Sequence, residues 1–420
     1  MGRKVKRSFK HRFYPTREQA AELSRTFGCV RFVYNRALEE RTRAWYGEQR
    51  RISYAQSSAA LTGWKKTEEL AFLAEVSSVP LQQALRHLQA AFANFFAKRA
   101  RYPRFKSRKR TRQAVEYTRS GFAWRDGRLT LAKMAQPLDI RWLRPLPESA
   151  EPSTVTVSRD SAGRWFVSLL CEDTVAPAPP TSSAVGIDAG ITSLLTLSTG
   201  EKITNPHHER RDRTRLAKAQ RDLSRKTRGS GNREKARRRV ARIHARIADR
   251  RRDFLHKLTT RLVRENQTVA IEDLAVRNLV KNHTLARAVS DASWAELRMM
   301  LEYKCAWYGR CLVVIDRFFP SSKLCGVCGT VSARLPLNVR EWICDCGAVH
   351  DRDVNAARNI LAAGLAVLAC GGGVRPQREP SRTGRSSVKQ EARRATAGLA
   401  RLRGGGGSQD GSLPDAITAG

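Results

Sequence analysis

Acidic residues are scarce in this chain of 420 residues: 39 Asp and Glu stand against 78 Lys and Arg, and the formal net charge is +39. The excess is not confined to one tail, because basic clusters recur at 1–7, 104–112 and 233–252. Several surfaces must therefore be cationic. A positive charge distributed in this way favours nucleic acid as the partner over a membrane patch.

Long apolar runs are missing as well. No uninterrupted stretch approaches the ~20 residues that a membrane-spanning helix needs, and the basic N-terminus lacks the apolar core of a signal peptide. These absences predict a cytoplasmic protein without a membrane partner. The apolar fraction of 41% is still high enough to build cores, and the length predicts two or three folded domains.

Cysteines are few and unevenly spaced. Their number, nine, is odd and five of them are scattered, which argues against a disulfide framework. The other four form CGVC at 325–328 and CDC at 344–346, separated by the fifteen residues 329–343. This spacing is typical of a zinc ribbon and predicts a structural Zn²⁺ site. The expected ligands are Cys325, Cys328, Cys344 and Cys346.

The second cysteine pair is tighter than usual, because Asp345 alone separates its two members. This puts the zinc geometry at that pair in question, although not the ribbon itself. His350 follows closely and is an alternative ligand. Four free thiols are the interpretation without a metal.

The first 173 residues combine strand and helix patterns. An alternating strand at 9–13 precedes a helix with Thr16 as its N-cap and Gln19 three residues later, which is the pattern of a capping box. A second amphipathic helix starts near Pro80. Its apolar face carries Leu81, Leu85, Leu88, Phe92, Phe95 and Phe96. Strand patterns then fill 121–172, so we expect a small β-barrel or sheet interrupted by a helical insertion.

A proline-rich segment at 174–183 marks the clearest domain boundary. Beyond it, an apolar strand bends through glycines into a second strand, and two long basic helices are expected at about 208–228 and 232–265. Strands and helices then alternate in an α/β arrangement. The last segment, 371–420, is rich in Gly, Ser, Arg and Pro without periodicity, which predicts a disordered basic tail.

Three acidic residues lie where an α/β core would bring them together. Asp188 ends the apolar strand AVGID, Glu272 ends TVAIE, and Asp353 opens the helix that follows the cysteines. Each one alone is more often a helix cap or part of a solvated turn. Together they gain weight, because an unpaired carboxylate is costly to bury and a divalent cation relieves that cost. Hydrolysis of a phosphodiester by two metal ions needs such oxygen ligands.

The motifs point to a family. GIDAG, IEDL, FPSSKLCGVCG and WICDCGAVHDRDVNAARNI, in this order, closely resemble the TnpB proteins of bacterial and archaeal insertion sequences, the relatives of type V CRISPR effectors. Segments of the front half, among them FYPTREQ, FGCVRFVYNRAL and VPLQQALRHL, agree with the same family. The resemblance covers about residues 5–365.

The resemblance implies an α/β multi-domain protein. A wedge β-barrel with a helical recognition insertion would precede a RuvC-like nuclease domain of RNase H fold, which a zinc-ribbon target-nucleic-acid-binding domain interrupts. The expected bounds are 1–173 for the wedge, about 16–118 for its insertion, 174–183 for the linker, 184–320 and 351–370 for the nuclease domain, and 321–350 for the ribbon.

The activity that the resemblance implies is RNA-guided DNA cleavage. Such proteins bind a guide RNA derived from the insertion sequence, recognise a short motif beside a double-stranded DNA target, and cut the DNA with Mg²⁺ or Mn²⁺. Carried over residue by residue, Asp188, Glu272 and Asp353 would form the catalytic triad, and Asp351 would not be a metal ligand. We expect a monomer in the cytoplasm of a bacterial or archaeal cell, with the nucleoid.

The same resemblance places three residues at the duplex motif: Tyr54, Ser58 and Gln82. Gln82 is chemically suited to this role, because an amide can bond to adenine bidentately in the major groove. An exposed polar position on a helix is the other interpretation of Gln82.

Two rival functions follow from the same features. A catalytically silent RNA-guided repressor is expected if the triad is broken, and all three carboxylates are present. A transposase that joins DNA ends by itself would carry a His-hydrophobe-His signature with a tyrosine, which the chain does not show.

Overall fold

The computed structural model describes residues 2–108, 111–147, 150–333, 335–336 and 338–370. The predicted basic tail, 371–420, lies outside them. All described residues belong to one compact unit that spans 1–375. Within these residues, none of the helices combines the length and the apolar character that crossing a membrane requires.

The first sheet is built around the N-terminal strand. β1, Arg3–Phe13, runs antiparallel to β7, Trp165–Val175, over its full length, and its alternation turns Phe9 and Phe13 into the core. The sheet has five strands in the order β2-β6-β7-β1-β5. The remaining strands are β2 Gln113–Thr118, β3 Phe122–Arg125, β4 Arg128–Leu131, β5 Ile140–Arg141 and β6 Pro152–Arg159, of which β3 and β4 form a separate hairpin.

Among the described residues, four α-helices lie between β1 and β2: α1 Arg17–Glu48, α2 Tyr54–Trp64, α3 Phe72–Glu75 and α4 Ser78–Phe96. The predicted capping box is confirmed, because Thr16 accepts from the Gln19 amide and the Gln19 side chain accepts from the Thr16 amide. The helices end at Phe96, and the last part of the segment predicted as the insertion, about 16–118, forms strand β2.

The apolar face of α4 differs from the sequence prediction at its C-terminal end. Leu81, Leu85, Leu88 and Phe92 are buried as expected, whereas the side chain of Phe96 is 66% exposed. The last turn of α4 extends beyond the layer that covers the earlier turns. There the guanidinium of Arg51 lies 5.9 Å from the centre of the Phe96 ring.

The second sheet has five strands in the order β10-β9-β8-β11-β12. Its strands are β8 Ala184–Asp188, β9 Ser193–Leu197, β10 Lys202–Thr204, β11 Thr268–Glu272 and β12 Cys311–Ile315. β8, β11 and β12 are parallel, and β8, β9 and β10 form an antiparallel meander. The hairpin that the glycine-rich bend predicts is therefore confirmed.

Six helices accompany this sheet: α5 His208–Ser224, α6 Gly231–Glu265, α7 Val276–Leu279, α8 Ala286–Ala292, α9 Trp294–Tyr308 and α10 Arg352–Ala369. α6 and α9 pack on one face, where Val185 and Ile187 join a core with Leu262 and Leu301. α10 packs on the opposite face. It approaches β8 so closely that a Cβ at Gly186 would lie 2.1 Å from the carbonyl oxygen of Ala357, so only glycine fits there.

The connection from β12 to α10 contains a short hairpin of β13, Glu341–Ile343, and β14, Val349–Asp351. The predicted linker has no regular structure from 176 to 183. It is nevertheless anchored, because Arg310 donates to the Pro179 carbonyl at 2.7 Å and Ala178 donates to that of Tyr308 at 3.0 Å.

Candidate active site and metal centre

The first two carboxylates leave the second sheet side by side. Ile187 and Ile271 are paired in register on the parallel strands β8 and β11, and Asp188 and Glu272 are the residues that follow them. Because parallel strands present their carboxyl ends at the same edge, both side chains reach the same end of the sheet. Asp353 comes from a different element, the first turn of α10, which packs across β8.

The pKa of Asp188 responds to both of the other carboxylates. Burial, followed by the neighbouring charges of Glu272 and Asp353, raises the pKa of Asp188 to about 7. The guanidinium groups of Arg352 and Arg340 act in the opposite direction. Such mutual repulsion among partly buried carboxylates is what a divalent cation would relieve, and oxygen is the ligand that Mg²⁺ and Mn²⁺ prefer.

Two further side chains hold the carboxylates in place. The hydroxyl of Ser321 donates to Oε1 of Glu272 at 2.5 Å, which counteracts the rise in pKa that burial causes at Glu272. Nη1 of Arg340 donates to Oδ1 of Asp353 at 3.3 Å. Sequence reasoning missed both Ser321 and Arg340, because no local pattern links Ser321 to Glu272, 49 residues away, or Arg340 to Asp353, 13 residues away.

The three carboxylates are not drawn together as tightly as metal ligands are. In the part of the chain that the structure describes, the metal-binding side chains gathered within 4.8 Å of one another are those of the cysteine cluster. Like charges resist a closer approach of the three carboxylates. Their oxygen atoms suit a divalent cation, but a bound cation would have to draw them closer together.

Asp351 has a different environment from Asp353, although only one residue separates them. It is the N-cap of α10 and accepts from the amides of Asp353 and Val354 at 3.1 and 2.9 Å. It also pairs with Lys202 at 2.5 Å. Burial alone would raise the pKa of Asp351, but the bond from Lys202 and those amides keep it below its ordinary value.

We expect Asp351→Ala to lower the free energy of unfolding by about 1 kcal/mol, because a helix loses its N-cap. Asp351→Asn is the matched control and should remain close to the wild type, since asparagine caps a helix equally well. Asp353→Ala should not destabilise, because it removes a like charge from the site. Urea unfolding of the three variants measures this, and a greater loss for Asp353→Ala than for Asp351→Ala would contradict it.

α10 also holds the segment that leads into the cysteines. Nδ2 of Asn355 donates to the Leu324 carbonyl at 2.7 Å, and Oδ1 of the same residue accepts from the Gly326 amide at 3.1 Å. One turn later, Nδ2 of Asn359 donates to the Ser321 and Leu324 carbonyls, each at 2.8 Å. This role was not predicted from the sequence, although asparagine is a poor residue inside a helix and two of them four residues apart are a signal that could have found it.

The four predicted cysteines converge. Their sulfur atoms all lie within 4.8 Å of one another, with 3.8 Å between Cys325 and Cys346 and 3.6 Å between Cys328 and Cys344. Four thiolates bound tetrahedrally to zinc at about 2.3 Å lie about 3.8 Å apart, so the cluster fits a zinc site. The single residue between Cys344 and Cys346 is sufficient, because both sulfur atoms reach the cluster. The chain turns there, with the Gly347 amide donating to the Cys344 carbonyl at 2.8 Å and Gly347 at a left-handed φ of 84°.

His350 lies beside this cluster. Its Nε2 is 3.0 Å from Sγ of Cys325, and its ring is 4.7 Å from that of Trp342 on the paired strand. The group whose ligand atoms lie together consists of the four cysteines, which favours them as the ligands and places His350 as a hydrogen-bonding neighbour.

The residues predicted to contact a duplex motif lie on α2 and α4. Tyr54 and Ser58 are one turn apart on α2, both half-buried, and Gln82 is exposed on α4. Nε of Arg86, one turn after Gln82, donates to the Tyr54 hydroxyl at 3.4 Å and connects the two helices. The structure therefore brings Tyr54 next to the turn of α4 that follows Gln82.

A basic groove lies between α5 and α6. Its volume is about 480 Å³, and its cationic lining consists of Arg215, Lys235, Arg239, Arg242 and Arg246. Among the described residues, Arg239 is the member of this set that has an acidic partner, Asp222 at 3.8 Å. Four guanidinium or ammonium groups thus face the groove without a counter-charge, which suits a phosphate backbone.

Comparison with family models gives three matches along the chain. A family described as "Probable transposase" matches residues 160–283, one described as "Cas12f1-like, TNB domain" matches 294–360, and one described as "Helix-turn-helix domain" matches 1–50. In this last range the structure has strand β1 and the single 32-residue helix α1.

Similar proteins cover almost the whole chain. A Streptomyces pristinaespiralis protein named "Putative RNA-guided DNA endonuclease" is 81% identical over 96% of this chain and 100% of its own length. The InsQ protein of Escherichia coli K12, named in the same way, is 35% identical over 87% and 94%. A Cas12f1 chain, solved in complex with sgRNA and target DNA, has a similar fold with a TM-score of 0.54 at 13% identity, covering 85% of this chain and 98% of that one.

Proposed function

Because this chain belongs to the TnpB family, we propose that it is an RNA-guided DNA endonuclease with Asp188, Glu272 and Asp353 as its catalytic triad. The observation that carries the proposal is the placement of these three carboxylates at one edge of the second sheet, where burial, together with the charges of Glu272 and Asp353, raises the pKa of Asp188 to about 7. Two of them come from adjacent parallel strands and the third from α10.

The residues fit a pair of Mg²⁺ or Mn²⁺ ions in ligand chemistry and in charge. When bound, such ions supply a nucleophilic hydroxide and stabilise the charge that develops on the phosphate. The chain's own contribution is orientation: Ser321 fixes the rotamer of Glu272, and Arg340 holds Asp353. The hydrogen bonds of Asn355 and Asn359 keep the segment with Ser321 against α10. The three carboxylates therefore keep their positions relative to one another.

The proposed domains follow the two sheets. The first sheet and its helices, 1–173, form the wedge barrel with its recognition insertion. The second sheet, 184–320 and 351–370, is the RuvC-like nuclease domain of RNase H fold. The cysteine segment at 321–350 is the target-nucleic-acid-binding ribbon with a structural zinc ion.

The guide RNA, derived from the insertion sequence, is proposed to bind through its phosphates. Guide–target pairing selects the sequence, so the protein needs cationic channels rather than base contacts along the heteroduplex. The net charge of +39 and the groove between α5 and α6 supply them. Affinity for RNA should therefore fall steeply with salt. The complex is proposed to act as a monomer.

We further propose that Tyr54, Ser58 and Gln82 contact the duplex motif beside the target. Gln82→Ala is expected to reduce cleavage by about 10-fold or more on the preferred motif, since a bidentate base contact is worth about 1–3 kcal/mol. Gln89→Ala is the matched control, because Gln89 is exposed on the same helix and bonds to Arg41 instead. A randomised motif library would show the change, and an unaltered preference in Gln82→Ala would contradict the role.

The test of the proposed function starts from the RNA that copurifies with the protein. Sequencing that RNA identifies scaffold and guide, and the complex is then offered matching DNA beside a motif library with Mg²⁺. Guide-dependent cleavage is expected. Binding without cleavage would instead identify a silent RNA-guided repressor, and absence of both would overturn the proposal.

A further inference from the structure

A cavity of about 510 Å³ shares a wall with the proposed catalytic site. One side is formed by the ends of β8 and β11, with Ile187, Ile271 and Glu272 in its lining. The segment Leu274–Asn278, which includes the start of α7, and the first half of α9 close the other sides. Glu272 therefore lines the cavity directly, and so does Ile187, the residue before Asp188.

The walls of this cavity are mostly apolar. Ile187, Leu195, Ile271, Leu274, Trp294 and Leu297 all contribute to them. Trp294 is 6% exposed, and its indole N–H is buried without a hydrogen-bond partner among the described residues. Because that N–H is itself closed to solvent, Trp294 contributes apolar surface to the cavity and not a donor.

Three charged groups of the lining, Arg298, Glu302 and Arg317, are already paired, whereas Arg277 is exposed and has no acidic partner among the described residues. Asp273 binds both Arg298 and Arg317, and Arg298 also bonds to Glu302 at 3.0 Å. To pair with Arg298 or Arg317, a phosphate would have to displace these carboxylates and enter an apolar space beside Glu272. A neutral, planar ring fits the same space without that cost, and the volume lies within the range of small-ligand sites, about 300–1,000 Å³.

We infer that this cavity takes the nucleobase of a nucleotide next to the scissile phosphodiester. The inference rests on the proposed function, which locates the scissile phosphate at the carboxylates. The base of the neighbouring nucleotide would then enter the cavity and lie against Trp294. Single-stranded nucleic acid is commonly held in this way, because every base has an apolar face that stacks on aromatic side chains. The cavity would fix the position of the cut within an unpaired strand.

Ala295→Trp tests the inference by filling the cavity. Ala295 lines the cavity from an exposed position on α9, so a larger side chain can enter without disturbing the core. Ala306→Trp is the matched control, because Ala306 is exposed on the same helix and outside the cavity lining. Ala295→Leu, which keeps helix propensity high, is the second variant if the tryptophan lowers the melting temperature.

Two measurements on the complex of protein, guide RNA and target DNA decide the matter. DNA with 5-iodouracil at each position around the cut is irradiated, and crosslinked peptides are identified by mass spectrometry. In the second measurement, the cleavage rate is determined for DNA that carries an abasic residue at each of the same positions. In the wild type and in Ala306→Trp, we expect one position to crosslink within residues 294–302 and the abasic residue there to slow cleavage about 10-fold, the loss of one stacked base.

Ala295→Trp should lose that crosslink and cut intact DNA about 10-fold more slowly, with no further effect of the abasic residue. Cleavage that is indifferent to every abasic position, with no crosslink to 294–302, would overturn the inference and leave the proposed function standing. Absence of all cleavage would overturn the proposed function, and the crosslink would then decide the cavity by itself.

Discussion

Asp188→Asn is expected to bind guide RNA and target DNA like the wild type and to cut the DNA at least about 1000-fold more slowly, the scale of removing one group that stabilises transition-state charge. The amide has nearly the same shape as the carboxylate but cannot carry the negative charge that a cation needs. Asp188 is also the group whose pKa shows the influence of both other carboxylates, so its loss should affect the whole site.

Stability separates this effect from simple misfolding. A buried carboxylate that two others repel opposes folding, so Asp188→Asn should have a melting temperature at or above that of the wild type in metal-free buffer. Asp316→Asn is the matched control, because Asp316 follows the third parallel strand, is exposed, and accepts from the Phe318 amide at 2.8 Å. Wild-type cleavage by Asp188→Asn, or an equal loss in Asp316→Asn, would refute the assignment of the triad.

Cys325→Ser is expected to release the zinc ion and to reduce cleavage by about 100-fold or more, because the ribbon would lose the folding free energy that metal binding supplies. Cys325 is 1% exposed, and its neighbours Leu324 and Gly326 are bound by Asn355. Disorder in the ribbon should therefore spread to the turn that carries Ser321 and to the start of α10. Metal analysis and hydrogen exchange at 321–350 would measure both effects.

Two further variants test which residues bind the zinc ion. Cys370→Ser should keep one zinc ion per chain and full activity, since Cys370 is exposed and outside the cluster. His350→Ala should keep the zinc ion as well if the four cysteines are the ligands. Full zinc retention in Cys325→Ser together with its loss in His350→Ala would reverse that ligand assignment.

Much of the fold could be predicted from local patterns. The capping box at Thr16, the long basic helices and the alternation in β6 and β7 depend on residues a few positions apart, and the structure confirms each of them. Strand β2 was not recognised within the segment expected to be helical. Its residues alternate in burial because they pair with β6, which lies more than thirty residues later.

Local sequence patterns were enough to propose which residues carry the chemistry: three carboxylates at the ends of apolar strands and at a helix start, and four cysteines at ribbon spacing. Their surroundings are known only from the packing of the folded chain. The pairing of β8 with β11 brings Asp188 beside Glu272, Ser321 bonds to Glu272 and Arg340 to Asp353 from other segments, and Asn359 binds the carbonyl of Ser321. The physical reason is that ligand chemistry belongs to the side chain itself, whereas position, pKa and the cavity beside Glu272 depend on packing between segments far apart in the chain.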